Sequence, residues 1–270
     1  MAYGEGPGPL AIAHRGGAGL GVENSLQAFA RSTALGVQYL ETDVRVTLDK
    51  ELVCFHDSTL DRVTGCAGHV AQQPLRMLRG LRVHGTEPIP TLDDVLDAFP
   101  SANLTVDLKD QAAIGPMIRT LRRPGVAQRV CVAGAWDSWL EGIRSVVPGV
   151  VTSLGWRSLA GLLACARTGL RPHPSLASAP FAHVPVRLGG VPVFLDRFVE
   201  MAHDLGVRVV VWTVDDPALM HRLYGAGADG VISDRPDLLR EVLVARGSWP
   251  AGSRPRPPYD ATAVGDLLPA

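Results

Sequence analysis

Short apolar runs alternate with longer amphipathic segments along most of the chain, and this alternation restricts the fold more than any other feature of the sequence. It is typical of repeated βα units that surround a parallel sheet. The candidate strands are Leu10–His14, Gln38–Asp43, Asn103–Leu108, Arg129–Ala133, Val150–Leu154, Phe181–Val186, Val207–Thr213 and Gly230–Ser233. Eight such strands in a chain of 270 residues predict an α/β fold, a single (β/α)8 TIM barrel.

Two further segments are expected at the barrel mouth. The apolar run Leu52–Phe55 follows Val44–Thr47 across a three-residue turn, which is too short for a parallel crossover and suits an antiparallel hairpin. The stretch from about residue 58 to 90 contains several Gly and Pro residues and is too long for an ordinary barrel loop. We interpret this stretch as an insertion that forms a lid or a substrate-facing element.

Helices are predicted where the amphipathic segments carry capping residues or helical spacing. They cover Ser25–Leu35, Leu92–Ala98, Pro192–Leu205, with Phe194, Phe198 and Met201 on one face, and Asp237–Val244. Residues 1–245 are predicted to form the barrel domain, and the Gly-, Pro- and Arg-rich residues 246–270 a poorly ordered tail.

The charge balance argues against ligands that bind through long-range electrostatic attraction. The 26 Lys and Arg residues nearly balance 27 Asp and Glu residues, so no strong field draws nucleic acid or an anionic membrane to the protein. The chain has no apolar stretch of the roughly 18 residues that span a bilayer, and its first ten residues do not resemble a signal peptide. We therefore expect a soluble, cytoplasmic protein that binds a small molecule, without nucleic acid or stable membrane insertion.

Candidate functional side chains lie at the carboxyl ends of the first two predicted strands, where barrels collect their active sites. Strand one ends in His14–Gly17, in which the glycines allow close backbone approach to a ligand and Arg15 offers a fork of donors for phosphate oxygens. Glu41 and Asp43 are two residues apart and project to one face of strand two. A hard divalent cation such as Ca²⁺ or Mg²⁺ suits two neighbouring carboxylates, and a salt-bridged surface pair is the alternative.

Further candidates lie at the ends of the third and seventh strands and of the hairpin. Asp107 can complete a three-carboxylate cation site and Lys109 can bind a phosphate oxygen, although the two can also form a plain ion pair. The hairpin returns to His56, which pairs with His14 as a candidate acid and base because imidazole titrates near neutral pH. Trp212 is either an aromatic wall for the ligand or a core residue.

The sequence assigns no catalytic role to several other polar residues. Asp234 precedes the last predicted helix and is interpreted as its cap. The remaining histidines lack comparable neighbours and are interpreted as structural or exposed; they are His69, His84, His173, His183, His203 and His221.

Together these motifs resemble the glycerophosphodiester phosphodiesterase family. The matching strings are Ala13–Gly16, Glu23–Ser25, Glu41–Val44, Phe55–Asp57, Leu60–Arg62, Asp107–Lys109, Trp212–Val214 and Gly227–Asp234. In order and spacing they cover the chain from about residue 10 to 244. The resemblance implies a metal-dependent enzyme on a TIM barrel that hydrolyses glycerophosphodiesters to an alcohol and sn-glycerol 3-phosphate.

The same resemblance implies a role for each candidate residue. Glu41, Asp43 and Asp107 would bind the divalent cation, His14 and His56 would act as acid and base, and Arg15 and Lys109 would contact the phosphate. The chain departs from the family pattern at three positions: Asp107 stands where Glu is usual, Val22 where Pro is common, and Asp215 where Asn often follows the Trp-Thr-Val string.

The chemistry of the substrate suggests how such a site would work. A free hydroxyl on the glycerol carbon beside the phosphate is positioned to attack phosphorus, which predicts a cyclic phosphate intermediate. One alternative is a lysophospholipase-D-like hydrolase, which would need an apolar entrance that residues 58–90 do not provide. A second is a barrel that binds phosphate ligands without turnover, and the presence of two histidines argues against it because binding alone needs no acid–base pair. A third is an isomerase-type barrel that holds phosphate near strands seven and eight, where Ala226–Gly230 is only a weak match.

Overall fold

The computed structural model describes residues 2–6, 8–188, 191–193 and 196–249. Its strands are β1 (Leu10–Ala13), β2 (Tyr39–Val46), β3 (Leu52–Cys54), β4 (Arg82–Val83), β5 (Glu87–Pro88), β6 (Asn103–Leu108), β7 (Val130–Gly134), β8 (Val151–Thr152), β9 (Phe181–Pro185), β10 (Arg187–Leu188), β11 (Val191–Pro192), β12 (Arg208–Trp212) and β13 (Gly230–Ser233). Its α-helices are α1 (Leu26–Ala34), α2 (Asp61–Thr64), α3 (Leu75–Leu78), α4 (Leu92–Ala98), α5 (Ile114–Leu121), α6 (Asp137–Val146), α7 (Trp156–Thr168), α8 (Asp196–Asp204), α9 (Pro217–Gly225) and α10 (Pro236–Ala245).

Eight parallel strands of this set form the central barrel. Their order is β8-β7-β6-β2-β1-β13-β12-β9, and a parallel bridge between Ser153 and Phe181 joins the two end strands. The amide of Leu154 also donates to the carbonyl of Phe181 at 2.7 Å. The eight predicted strands and the TIM-barrel fold are thus confirmed. The hairpin is also present, because β3 pairs antiparallel with β2.

Side chains fill the amino-terminal end of the barrel. Alternate residues of each strand point inward, where Ile12 and Val210 belong to one buried apolar cluster. Tyr3 closes this end, with its ring 5.3 Å from that of Tyr39 and its hydroxyl 2.5 Å from Thr105 Oγ1. The outward-facing residues pack against the helices in two larger clusters. A ligand can therefore bind only at the other end of the barrel, where the strands have their carboxyl ends.

Helices α1 and α4 begin at side-chain caps that are visible in the sequence. Ser25 Oγ accepts a hydrogen bond from the amide of Ala28 at 3.1 Å. Thr91 and Asp94 form a capping box, in which each side chain accepts a hydrogen bond from the other's backbone amide. Because such caps satisfy amides that lack a partner within the helix, both helices lie within one residue of their predicted bounds.

Helix α8 differs from its prediction at the amino-terminal end. The described helix begins at Asp196, four residues later than predicted, because Val191–Pro192 pair antiparallel with Arg187–Leu188. Phe194 of the predicted apolar face lies outside the described residues, as do residues 250–270 of the predicted tail. Within the described ranges, no helix has both the length and the apolar character needed to cross a membrane.

The insertion at residues 58–90 packs around an apolar cluster of its own. It contains α2, α3 and the antiparallel pair β4–β5. Val63 and Leu78 are buried there against Phe55, which follows the hairpin strand β3. The insertion is therefore anchored by hydrophobic contact to the segment that carries His56.

Candidate active site

A cavity of about 390 Å³ opens at the carboxyl ends of the barrel strands. Its lining includes all eight residues that the sequence singled out: His14, Arg15, Glu41, Asp43, His56, Asp107, Lys109 and Trp212. They come from β2, β6, β12 and the segments that follow β1, β3 and β6. The barrel thus gathers into one site residues that are up to 198 positions apart in the chain (from 14 to 212).

Three carboxylates form the acidic part of the site. Asp43 on β2 and Asp107 on β6 are register partners on neighbouring strands, and Glu41 lies two residues before Asp43 on the same face. Burial and the charge of Asp43 raise the pKa of Glu41 to about 7. Burial likewise raises the pKa of Asp107. These shifts show that the site favours additional positive charge, and oxygen donors of this type suit a hard divalent cation.

Two basic side chains lie among these carboxylates. Lys109 Nζ is 2.8 Å from an oxygen of Asp43 and 2.6 Å from an oxygen of Asp107. Arg15 Nε is 3.2 Å from the other oxygen of Asp43. Burial opposes ionisation of Asp43, but Lys109 and Arg15 outweigh it and hold the pKa of this carboxyl below its usual range.

The acidic residues fit a cation by their chemistry, and Lys109 takes that role between Asp43 and Asp107 in this conformation. Among the described residues, no group of three Asp, Glu, His or Cys side chains is arranged to hold a metal ion. A cation could bind both carboxylates only if the ammonium group moved away, for example to a phosphate oxygen.

Each of the two site histidines is held by a carboxylate. His14 Nδ1 is 2.7 Å from Asp234 Oδ1, and His56 Nδ1 is 2.7 Å from Asp57 Oδ1. Burial lowers the pKa of His14, but the hydrogen bond with Asp234 and the charge of Glu41 outweigh it, so the net pKa is raised. In both residues the Nε2 atom remains available to exchange a proton with a bound ligand.

The turn after β1 holds Arg15 in an unusual backbone conformation. Its φ of +48° lies in the left-handed region, and its amide donates to Glu41 Oε2 at 2.8 Å. Close packing also requires the two following glycines. A Cβ at Gly17 (φ +97°) would lie 2.8 Å from Ser32 Oγ, and one at Gly16 would lie 2.8 Å from the Phe29 ring.

Tryptophans form one wall of the cavity mouth. Trp136, Trp139 and Trp156 line it from the segments around α6 and α7, and Trp136 is 61% exposed. Trp212 also lines the cavity while packing against the interior apolar cluster. The apolar side of the entrance therefore lies away from residues 58–90.

The insertion does not contribute to the cavity lining among the described residues, so the structure gives no support to a lid. It instead braces residues behind the site. Arg62 Nη2 is 2.6 Å from Glu23 Oε1, and its Nε donates to Asp57. Glu23 also accepts from Arg15 at 3.2 Å, so Arg62 links the partners of Arg15 and of His56.

Residues 14–238 match the sequence model of the "Glycerophosphoryl diester phosphodiesterase family". The chain belongs to this family. "Probable glycerophosphodiester phosphodiesterase 2" of Mycobacterium tuberculosis is 36% identical over 246 residues, which cover 90% of this chain and 93% of that protein. "Glycerophosphodiester phosphodiesterase" of Caldanaerobacter subterraneus is 28% identical over 249 residues, which cover 87% and 97%. The chain is thus an enzyme of the glycerophosphodiester phosphodiesterase class.

Solved structures show the same barrel. An Oleispira antarctica phosphodiesterase in complex with the product sn-glycerol-3-phosphate superposes with a TM-score of 0.73 at 23% identity, covering 88% of this chain and 97% of that one. A glycerophosphodiester phosphodiesterase from Parabacteroides distasonis gives 0.70 at 21% identity, covering 90% and 100%. At these identities the likeness concerns the fold.

The sequence interpretation missed one important member of this glycerophosphodiester phosphodiesterase site. Asp234 was expected to cap the last helix, but Arg235 occupies the N-cap position of α10 and Asp234 binds His14 instead. Asp215, a departure from the family pattern, accepts hydrogen bonds from the Asp234 amide and Ser233 Oγ, both at 2.8 Å. Barrel closure was the available signal, because it places the end of the last strand beside the end of the first.

Proposed function

We propose that the protein hydrolyses glycerophosphodiesters to an alcohol and sn-glycerol 3-phosphate, with His14 and His56 as the acid–base pair. The observation that carries this proposal is the arrangement of two imidazoles, each bound to a carboxylate at Nδ1, beside the phosphate-binding candidates Arg15 and Lys109 in one cavity. Binding alone needs neither imidazole, so the arrangement supports turnover over the non-catalytic alternative.

The proposed reaction begins inside the substrate. The hydroxyl on the glycerol carbon next to the phosphate-bearing carbon attacks phosphorus, and the Nε2 atom of one histidine accepts its proton. The bond between phosphorus and the leaving alcohol oxygen breaks, and the other histidine donates its proton to that oxygen. Arg15 and Lys109 neutralise the phosphate oxygens as charge develops on them.

Water then opens the cyclic phosphate with the roles of the histidines reversed. A water oxygen bonds to phosphorus and loses a proton to the histidine that acted as acid. The ring bond to the attacking glycerol oxygen breaks, and that oxygen regains its proton from the first histidine. Both imidazoles return to their starting states, and the product is sn-glycerol 3-phosphate.

A divalent cation is part of the proposal, and Glu41, Asp43 and Asp107 are the residues that would hold it. Bound there, Mg²⁺ or Ca²⁺ would supply charge that stabilises the phosphate oxygens and lowers the pKa of the attacking hydroxyl. The raised pKa of the buried Glu41 carboxyl supports this assignment, because a nearby cation would favour the ionised form.

A substrate panel tests the proposed function. Glycerophosphocholine, glycerophosphoethanolamine, glycerophosphoglycerol and glycerophosphoinositol are assayed beside lysophospholipids, with Mg²⁺ and Ca²⁺ added separately, and released sn-glycerol 3-phosphate is measured. We expect turnover of the glycerophosphodiesters. Failure to release sn-glycerol 3-phosphate from any of them under either metal contradicts the proposal, and faster turnover of lysolipids supports the lysophospholipase-D-like alternative.

The nucleophile is tested with a diester that lacks the attacking hydroxyl. Effective molarities of well-oriented internal groups reach about 10⁵ to 10⁸ M, so water is a poor substitute for the missing group. We expect this 2-deoxy substrate to bind and to react far more slowly than the natural one, with rates followed by phosphorus NMR. Similar rates for the two substrates would mean that water attacks directly.

A further inference from the structure

A buried histidine, whose Nε2 atom has no hydrogen-bond partner among the described residues, lies on the floor of the cavity. His183 is on β9, opposite Val210 of β12, and it lines the cavity together with Thr105, Ser153 and Ile232. Only 8% of His183 is exposed. Its Nε2 atom is buried and has no hydrogen-bond partner in the part of the chain that the structure describes.

Such a group calls for an explanation, because buried polar atoms are nearly always paired. Phe181, an aromatic neighbour, has its ring centroid 6.3 Å away and offers no polar side-chain atom. Burial lowers the pKa of His183 to about 4, so the ring is neutral at pH 7 and presents one donor and one acceptor. A neutral imidazole of this kind suits an uncharged hydroxyl better than a phosphate oxygen.

The shape of the cavity decides which part of a substrate can reach this floor. The mouth is bordered by the exposed Trp136 and by Trp156, whereas His183 and Ser153 at the other end are buried. The alcohol half of a glycerophosphodiester varies in size and must leave, so it belongs at the mouth. The glycerol half is the same in every substrate and therefore belongs at the closed end.

One glycerol hydroxyl remains free to form a hydrogen bond with His183. The central hydroxyl must stay beside phosphorus in the proposed reaction, and the third carbon carries the ester oxygen. The terminal hydroxyl is the group that can extend away from the phosphate toward His183. We propose that His183 forms a hydrogen bond with this terminal hydroxyl and makes the enzyme select glycerol over a diol that lacks it. This inference rests on the proposed function.

The test compares glycerophosphocholine with the choline diester of 2-hydroxypropyl phosphate, which keeps the attacking hydroxyl and lacks only the terminal one. In the wild-type enzyme we expect kcat/KM to fall about 10- to 100-fold for the analogue, because the buried imidazole then loses its partner. In His183→Leu the natural substrate should suffer a similar loss, while the analogue changes little. His183→Leu should therefore lose most of the preference for glycerophosphocholine over the analogue.

Two further variants distinguish loss of the His183 hydrogen bond from a change in the shape of the cavity floor. His183→Asn keeps a donor and an acceptor and should retain part of the preference for glycerol. Ile232→Val changes the volume of the same floor without removing a polar group, and it should keep the full preference. The proposal is overturned if wild type does not discriminate between the two diesters, or if His183→Leu discriminates as strongly as wild type.

A binding measurement distinguishes failure of this inference from failure of the proposed reaction. Calorimetric titration of sn-glycerol 3-phosphate and of 2-hydroxypropyl phosphate needs no turnover. Tighter binding of the glycerol compound by wild type, with the difference lost in His183→Leu, supports the contact even if no glycerophosphodiester is cleaved. Equal binding of the two compounds by wild type contradicts it. If His183→Leu does not fold, His183→Asn decides: it should keep only part of the wild-type difference in binding between the two compounds, and an undiminished difference contradicts the contact.

Discussion

In the proposed reaction, the proton transfers depend on one nitrogen atom of each of two histidines. In His14 and His56 the Nδ1 atom is occupied by a carboxylate oxygen at 2.7 Å, from Asp234 and Asp57 respectively. A carboxylate at Nδ1 fixes the orientation of the ring and favours the tautomer that leaves Nε2 as the acceptor. Both imidazoles can therefore exchange protons through Nε2 without first rotating.

We expect His14→Ala and His56→Ala each to lower turnover by about 10² to 10⁴, the usual contribution of a positioned acid or base. His203→Ala is the matched control, because His203 also pairs with a carboxylate, Asp229 at 2.8 Å, but does not line the cavity. The measurement is kcat on glycerophosphocholine, with thermal unfolding as a check of folding. Activity within a few-fold of wild type would remove that histidine from the mechanism.

His183 gives the folded state a pH dependence that can be measured. Its pKa is about 4 when folded, below the ordinary value of 6.5, so protonation favours the unfolded chain. The stability is complete above about pH 6.5 and falls as the pH drops toward 4, by on the order of 3 kcal/mol for this group. Urea unfolding of wild type and His183→Leu at pH 7 and pH 4.5 should show a smaller loss in the variant. An equal loss of unfolding free energy in wild type and His183→Leu would contradict the lowered pKa of His183.

At the scale of elements, neighbouring strands convert sequence spacing into a charged site. Asp43 and Asp107 face each other because β2 and β6 pair in parallel with these residues in register. Lys109 lies two residues after Asp107, so its side chain reaches the same face and binds both acids. The position of Lys109 between the two carboxylates depends on this register as well as on the spacing within one strand.

Asp107 tests whether β6 supplies a cation ligand. Asp107→Glu introduces the residue that the family usually has here and keeps the charge, so we expect it to retain most of the activity. Asp107→Asn removes the charge and should lower activity strongly and raise the metal concentration needed for half-maximal rate. The measurement is a Mg²⁺ and Ca²⁺ titration of turnover for each variant. Equal losses in both variants would count against direct ligation.

At the scale of the whole molecule, closure of the barrel assembles the site. The bridge between Ser153 and Phe181 joins the end strands, and the pairing of β1 with β13 brings Asp234 to His14. The insertion is tied to the same assembly through Arg62, which binds Glu23 and Asp57. The site therefore forms only when the whole barrel is folded. A ligand that contacts residues from several strands should stabilise the folded protein.

Metal removal tests this coupling. A divalent cation that binds only the folded state stabilises it by about 2.7 kcal/mol at a hundred times its dissociation constant. We expect a chelator to abolish activity and lower Tm, and an added divalent ion to restore both. Glu41→Gln combined with Asp43→Asn should remove the metal-dependent rise in Tm. Full activity after exhaustive chelation would contradict a metal-dependent reaction.

Patterns in the sequence were enough to predict the fold class, the eight barrel strands and eight candidate site residues, which all line one cavity. This was achievable because strand periodicity, strand ends and two-residue spacing are local properties of the chain. They need no knowledge of which strands become neighbours.

Tertiary structure alone decided the partners of those residues. Asp234 binds His14 across 220 positions, although its place before a helix favoured a cap. Lys109 binds two carboxylates on different strands, and His183 is buried on the cavity floor, which decides between the structural and the exposed position that the sequence left open. Each of these outcomes depends on the closure and register of the barrel. The physical reason is that local patterns specify which way a side chain points, whereas only the packed strands specify what it meets there.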